Sequence, residues 1–208
     1  MRTFDVVVVG AGPAGEVVAG RLAGDGLETV LVERELVGGE CSFWACMPSK
    51  ALLRPAEILA EVRRVPGAAE AVTGSLDVTA ALRRRDEVIH DLDDASQLPW
   101  LEDRGVTLVR GEATVTGERT VQVGDETLEA RKAVVLATGS GALVPPIEGL
   151  KEANPWTNRE VTTASRVPSF VSTSTTRSPA SRPWPRTSVA PTLSSHFTPL
   201  TSSQLEVM

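Results

Sequence analysis

The chain has 208 residues, enough for one ordinary domain and part of a second. Its 27 acidic against 21 basic residues give a net charge of −6, which argues against a general nucleic-acid binder. A hydrophobic share of 41% suits a soluble globular core, and the longest N-terminal apolar run, Val6 to Val9, stops at Gly10, too short for a signal core or a membrane span. On these grounds the chain is expected to be cytoplasmic.

Phe4 to Val9 reads as a short, β-branched, buried parallel strand ended by glycine. Gly10-Ala11-Gly12-Pro13-Ala14-Gly15 follows directly, and a helical pattern runs from Ala14 to about Asp25, with Val18 and Leu22 on one face and Gly24 and Gly26 ending it. Thr29 to Glu33 is a second apolar strand with the acid at its end. A GxGxxG between strand and helix, with an acidic residue about 20 positions on, is a dinucleotide-binding fingerprint. Gly10 makes the tight turn, Gly12 lets backbone approach a pyrophosphate, and Gly15 lets helix and strand pack closely. The helix N-terminus offers free N–H groups to the phosphates. Glu33 can accept hydrogen bonds from a ribose and would repel a 2′-phosphate, so FAD or NAD fits better than NADP. The fingerprint alone does not separate FAD from NAD.

The only two cysteines come next, in Gly38-Gly39-Glu40-Cys41-Ser42-Phe43-Trp44-Ala45-Cys46-Met47-Pro48-Ser49-Lys50. On one regular helix, five residues would separate their Cα atoms by roughly 8–9 Å. A disulfide tolerates no more than about 7 Å. An oxidised pair therefore requires a distorted helix, or Cys41 in the loop before it, with Gly38 and Gly39 supplying the freedom. So short a bridge suits redox exchange better than stapling, and a nearby helix N-terminus is expected to lower a thiol pKa. Zinc is disfavoured, because two ligands do not fill a tetrahedral site and His90 and His196 lack ligand spacing.

A helix is expected from Ala51 to about Val65, kinked or restarted near Pro55 and ended by Pro66-Gly67. A second runs from Leu76 to about Leu92. Its apolar stripe of Val78, Ala81, Leu82, Ile89 and Leu92 is interrupted by Arg85. Arg83 to Glu87 reads as a solvated face, His90 lies in this helix without a function, and Asp91, Asp93 and Asp94 receive no metal. Gly105 to Arg110 is another parallel strand. Ala113, Val115, Val121 and Val123 then alternate with polar residues around turns at Gly117-Glu118 and Gly124-Asp125, predicting a small antiparallel meander. Ala133 to Ala137 returns as an apolar strand ending in Thr138-Gly139-Ser140, and Pro145-Pro146 to Gly149 turns out of the domain.

The fingerprint, the glycine-preceded cysteine pair with its Met-Pro-Ser-Lys sequel, and the strand ending in Ala-Thr-Gly together resemble the class I flavoprotein disulfide reductases, such as dihydrolipoamide dehydrogenase and mercuric reductase. The resemblance covers about the first 165 residues. It implies an α/β, Rossmann-like FAD-binding domain with a parallel sheet and an antiparallel β-meander. It also implies a redox-active Cys41–Cys46 disulfide, with Cys41 as the interchange thiol and Cys46 facing the flavin. Lys50 would lie near the flavin's reactive edge. The flavin-contacting set would be Gly10, Gly12, Pro13, Ala14, Gly15, Glu33, Arg34, Gly39, Cys46, Lys50, Ala137, Thr138 and Gly139. In a complete relative, electrons pass from NAD(P)H through FAD to the disulfide, then to a small-molecule disulfide or other acceptor. Phe43 and Trp44 differ from the smaller residues common between the cysteines of dihydrolipoamide dehydrogenases.

Trp156 to about Pro168 still resembles the approach to that family's NAD(P)H domain. A second strand and GxGxxG should follow. Instead, Ser, Thr, Pro and Arg run to the end, all 17 glycines lie at or before Gly149, and Glu206 is the one acidic residue after Glu160. The expected organisation is residues 1–150 as the FAD-binding domain, 151–167 as the remnant of the approach, and 168–208 as a disordered or frameshifted tail. The family's NAD(P)H site, dimer interface and acid/base histidine have no match. The alternatives to a turning-over oxidoreductase are therefore a binding module for FAD or another dinucleotide, and a non-functional fragment.

Overall fold

β1 (Arg2–Val9) carries the run Val6–Val9, whose four side chains are all buried because both faces of the strand are covered. The structure, a computed structural model, describes residues 1–166. The expected disorder and the frameshift from about residue 168 lie outside the described residues. α1 (Pro13–Gly24) opens with Pro13, a position whose N–H has no intrahelical partner in any case. β2 (Thr29–Glu33) lies parallel to β1, with Val6 opposite Thr29 and Val9 opposite Val32. Two helices follow, α2 (Gly39–Phe43) and α3 (Cys46–Val62), then α4 (Val78–Val88) and α5 (Leu98–Glu102). β3 (Thr107–Arg110), β4 (Ala113–Gly117), β5 (Thr120–Val123), β6 (Glu126–Leu136) and α6 (Asn158–Thr163) complete the described chain.

The sheet has six strands in the order β3-β2-β1-β6-β5-β4. β1 pairs in parallel with β2 and β6, and β2 with β3. β4, β5 and β6 form the antiparallel meander. The meander was expected as a unit separate from the strand Ala133 to Ala137. β6 joins them: Glu126 to Glu129 pair with β5, while Leu128 to Leu136 follow β1, from Arg2 opposite Leu128 to Val9 opposite Leu136. The fold is thus an α/β Rossmann-like sheet with the meander built into it.

Strand alternation divides the core. Val6, Val8 and Leu31 pack with Ala19 of α1 and with Val37, Leu101 and Val106. Val7, Val9, Val30 and Val32 pack with Val121, Val123, Leu128 and Ala130 of the meander. Each fully buried valine stabilises the fold by about 1.5–3 kcal/mol relative to an exposed one, so β1 and β2, with four and five buried residues, anchor it together.

Three helical expectations are corrected. α3 runs uninterrupted through Pro55, with no restart there. α4 ends at Val88, capped at its start by the Asp77 side chain on the Ala80 N–H, and His90 lies in a separate 3-10 turn at φ +50°. Arg85 is not part of a solvated face. It is 1% exposed, and its guanidinium donates to the Asp86 carboxylate at 2.7 Å, to the Thr162 carbonyl, and to the Ala164 carbonyl at 2.9 Å. Those carbonyls close the C-terminus of α6, so a buried cation meets the negative end of a helix with its donors engaged.

Candidate functional site

Two motifs far apart in their chemistry meet at one place. After β2 the chain crosses the start of α1, where the Gly38 N–H donates to the Ala11 carbonyl at 2.7 Å. A Cβ on Gly39 would stand 2.8 Å from the Gly12 Cα, so the cysteine segment is seated directly on the glycine turn. Gly38 itself has φ +111°, a conformation that glycine adopts without strain. Glu33 helps fix this approach, accepting the Ala11 N–H and the Glu35 N–H, each at 2.7 Å.

The helix break that an oxidised pair would require is present. α2 ends at Phe43, α3 begins at Cys46, and Trp44-Ala45 forms the joint between them. Both cysteines are thiols here, partly buried. The Cys41 thiol is pushed up, first by its hydrogen bond with the Cys46 sulfur, then by burial and by negative charge on Cys46, with the Lys50 ammonium opposing. Phe43 and Trp44 fill the space behind the pair, packed with Ile89 and Leu36.

These pieces line one cleft of about 1050 Å³. Gly10, Gly12, Pro13, Ala14, Glu33, Arg34, Gly39, Cys41, Cys46, Ala137, Thr138 and Gly139 all border it. Two expected residues do not. Gly15 lies behind the turn, packed against the Gly10 carbonyl, and exposed Lys50 borders a separate groove of about 360 Å³ with Met47 and Leu53. A smaller pocket of about 140 Å³ continues from Gly10, Glu33 and Arg34 to Gly111, Glu112 and Ala113. The sequence reading missed Gly111–Ala113, which carry no motif of their own. It also missed Asn158 and Arg159, which border the main cleft from α6. The capping box of Thr157 and Glu160 marks where that helix starts, but nothing local says where it docks.

Asp94 is another residue whose role only the fold reveals. It is 8% exposed and accepts the Val37 N–H at 2.6 Å and Arg110 at 2.7 Å, holding the segment that leads into Gly38. Burial pushes its carboxyl up, but the Arg110 guanidinium and the Val37 N–H outweigh burial and hold it below the ordinary value. A carboxyl depressed in the folded state stabilises fully above its unfolded pKa of about 3.9, and that stabilisation is lost as pH falls through the folded value. Asp94→Asn is expected to lose about 1–2 kcal/mol at pH 7, because the neutral amide gives up the charge-assisted bond to Arg110, itself half-exposed and partly screened, while its oxygen can still accept the Val37 N–H. The gap from wild type should narrow toward pH 3. Urea midpoints at the two pH values check this; equal gaps at both would refute it.

Among the described residues, no cluster of three or more His, Cys, Asp or Glu is arranged to hold a metal, and no helix is long and apolar enough to cross a membrane.

A mostly parallel sheet, a glycine turn at the head of its first helix and a cysteine pair seated on that turn define an α/β protein of Rossmann type that presents two thiols at its glycine turn. The sequence profile described as pyridine nucleotide-disulphide oxidoreductase matches residues 4–169. The chain belongs to that family. It is 33% identical over 154 residues to dihydrolipoyl dehydrogenase of Acholeplasma laidlawii, a match covering 73% of this chain and 45% of that one. It is 30% identical over 167 residues to mercuric reductase of Staphylococcus aureus, covering 79% of this chain and 30% of that one. Among solved structures it is similar to the Cu(II) complex of the HOCl-induced flavoprotein disulfide reductase RclA from Escherichia coli. That match has a TM-score of 0.58 and 25% identity, and covers 71% of this chain and 31% of that one. The chain thus spans less than half the length of these relatives.

Proposed function

We propose that this chain holds FAD in the main cleft and that Cys41 and Cys46 form a redox-active pair beside it. The observation that carries the proposal is the seating of the cysteine segment on the glycine turn, which gives both motifs a single cleft. The residues fit the cofactor. A Cβ at Gly12 would meet no protein atom within 4 Å, so backbone there opens toward a pyrophosphate, and α1 has no side-chain cap to occupy its free N–H groups. Pro13 and Ala14 continue that rim. Glu33 spends one lone pair of each oxygen on backbone and keeps capacity for a ribose hydroxyl. The pocket at Gly111–Ala113 would take a planar base, and Ala137, Thr138 and Gly139 close the cleft from the end of β6.

FAD, when bound, supplies a carrier that accepts a hydride from NAD(P)H and hands an electron pair to sulfur. Two electrons and one proton would open the Cys41–Cys46 bond to a Cys41 thiol and a Cys46 thiolate. Cys41, passing its proton to Cys46, attacks a substrate disulfide and expels one thiolate, which takes that proton from Cys46. Cys46 then attacks the mixed disulfide at Cys41, expels the second thiolate, which takes a proton from solvent, and restores the bond. Because the Cys41 thiol is pushed up, its proton needs a taker, and its hydrogen-bond partner, the Cys46 sulfur, stands in position. Lys50, one helical turn beyond Cys46, lends positive charge to the pair. In this reading residues 1–150 are the FAD-binding part, residues 151–167 lead toward the second nucleotide domain of longer relatives, and the setting is cytoplasmic.

A second reading, a flavin-holding module without turnover, is favoured by the coverage of only 30–45% of the relatives' lengths. Absorption spectra of the purified chain before and after FAD addition and desalting test the shared premise. A retained flavin band is expected; its absence sinks both readings. Reduction of retained flavin by NADH or NADPH then separates turnover from the module.

A further inference from the structure

The joint between α2 and α3 has a hydrogen-bond problem that its own helices cannot solve. Trp44 caps the end of α2 and precedes Ala45, the N-cap of α3, so its carbonyl falls outside the hydrogen-bond ladder of either helix. Trp44 is 9% exposed, so water is a poor substitute. The neighbouring Ala45 carbonyl is served from within α3, by the Ser49 N–H at 3.1 Å and the Ser49 hydroxyl at 2.5 Å. The Trp44 carbonyl is served from α6. Asn158 donates its side-chain amide at 3.0 Å, and the Thr162 hydroxyl reaches it at 3.2 Å, its one proton divided between this carbonyl and the Asn158 carbonyl of its own helix at 2.7 Å.

α6 holds the same joint from its outer side. The Asn158 amide also reaches a Glu40 carboxylate oxygen at 2.8 Å. The Arg159 guanidinium donates to Glu40 at 2.8 Å and to Glu35 at 2.7 Å, and it lies 4.0 Å over the Trp44 ring. At its far end α6 is anchored by buried Arg85. Apart from Arg159 on Glu35, the contacts with the joint fall on Glu40 and Trp44, the residues bracketing Cys41 and leading into Cys46.

We propose that α6 is a positioning strap for the cysteine pair: Asn158 and Thr162 supply the hydrogen bonds that neither α2 nor α3 offers, and so lock the Trp44-Ala45 joint that sets the spacing of the two sulfurs. The proposal rests on the reading of Cys41 and Cys46 as a redox pair. Locking the joint raises the effective concentration of one sulfur at the other and favours the disulfide over the dithiol. Releasing it makes the bridge easier to reduce.

The test equilibrates the full 208-residue chain in mixtures of reduced and oxidised dithiothreitol, whose dithiol and disulfide forms exchange two electrons and two protons with the pair. Alkylation traps the thiols for counting. Thr162→Val, nearly isosteric, and Asn158→Ala are each expected to shift the equilibrium at least tenfold toward the dithiol, about 30 mV. Thr162→Ser, which keeps the hydroxyl, should restore the wild-type ratio. Thr163→Val is the matched control, because the hydroxyl of exposed Thr163 serves only the Arg159 carbonyl of its own helix; no shift is expected. Unchanged ratios in Thr162→Val and Asn158→Ala, beside a wild type that forms the disulfide, overturn the strap, even if urea midpoints fall. A wild type that forms no intramolecular disulfide overturns the redox reading itself, and the strap with it.

Discussion

Gly15→Ala is expected to abolish FAD retention and to lower the stability of the chain by about 3 kcal/mol or more, a loss typical of backbone-level overpacking. A Cβ at this position would stand 1.8 Å from the Gly10 carbonyl oxygen, 2.9 Å from the Gly10 carbonyl carbon and 3.4 Å from the Ala137 side chain. The obstructing atoms are mostly backbone, and that backbone is fixed in turn. Gly10 has φ +100°, and a Cβ there would meet the Ala137 carbonyl oxygen at 2.4 Å, so the turn has no neighbouring conformation into which to retreat. α1 must therefore lift off β1, taking with it the amide groups at its start and the Ala19 contact with Val6, Val8 and Leu31. Gly24→Ala is the control on the same helix. A Cβ there meets nothing within 4 Å, and replacing a helical glycine should stabilise by about 0.5–1 kcal/mol. Urea unfolding and FAD retention on desalting check both variants. Wild-type stability and flavin retention in Gly15→Ala would contradict the close packing of helix and strand on which the site depends.

The second large effect is expected at the cysteines. In the FAD-loaded, dithiol-reduced chain, Cys46→Ser should remove a long-wavelength absorbance shoulder arising from a sulfur anion beside oxidised flavin, while Cys41→Ser should keep it. Each substitution alone should abolish the intramolecular disulfide. Cys41 also carries a chemical signature of its partner. Its thiol is pushed up first by the hydrogen bond with Cys46 and then by burial and by charge on Cys46. Removing that partner, as in Cys46→Ala, should move the pH profile of Cys41 alkylation to lower pH and speed the reaction several-fold at pH 8. A raised thiol pKa means less thiolate at a given pH, so its relief must appear as faster alkylation. A shoulder that survives Cys46→Ser, or an alkylation profile unmoved in Cys46→Ala, would reverse the assigned roles or separate the two sulfurs.

Much of this site was legible in the chain because its signals are local. A strand, a GxGxxG and an acid about 20 residues on lie within Phe4 to Glu33, and each part acts on backbone within a few residues of itself. The required break between Cys41 and Cys46 followed from helix geometry alone, and Trp44-Ala45 supplies it. Alternation of Val121 and Val123 located β5 for the same reason, since period-two burial is written into adjacent residues.

What the residues near one another could not decide was which charged side chains would be buried and what they would hold. Arg85 sits in a run of five charged residues and reads as solvated; only the arrival of α6, 77 positions later for Thr162, gives it carbonyls to satisfy. Asp94 resembles its neighbours Asp91 and Asp93 until Val37, 57 positions earlier, brings it an N–H. Asn158 and Thr162 carry no nucleotide or thiol signature, yet they serve the Trp44 carbonyl more than 100 positions away. The local sequence determined where backbone must turn, open or break, because sterics and hydrogen-bond geometry act over a few residues. The tertiary structure decided which polar groups are buried and paired, because a desolvated charge or carbonyl is stable only where distant chain supplies its partner.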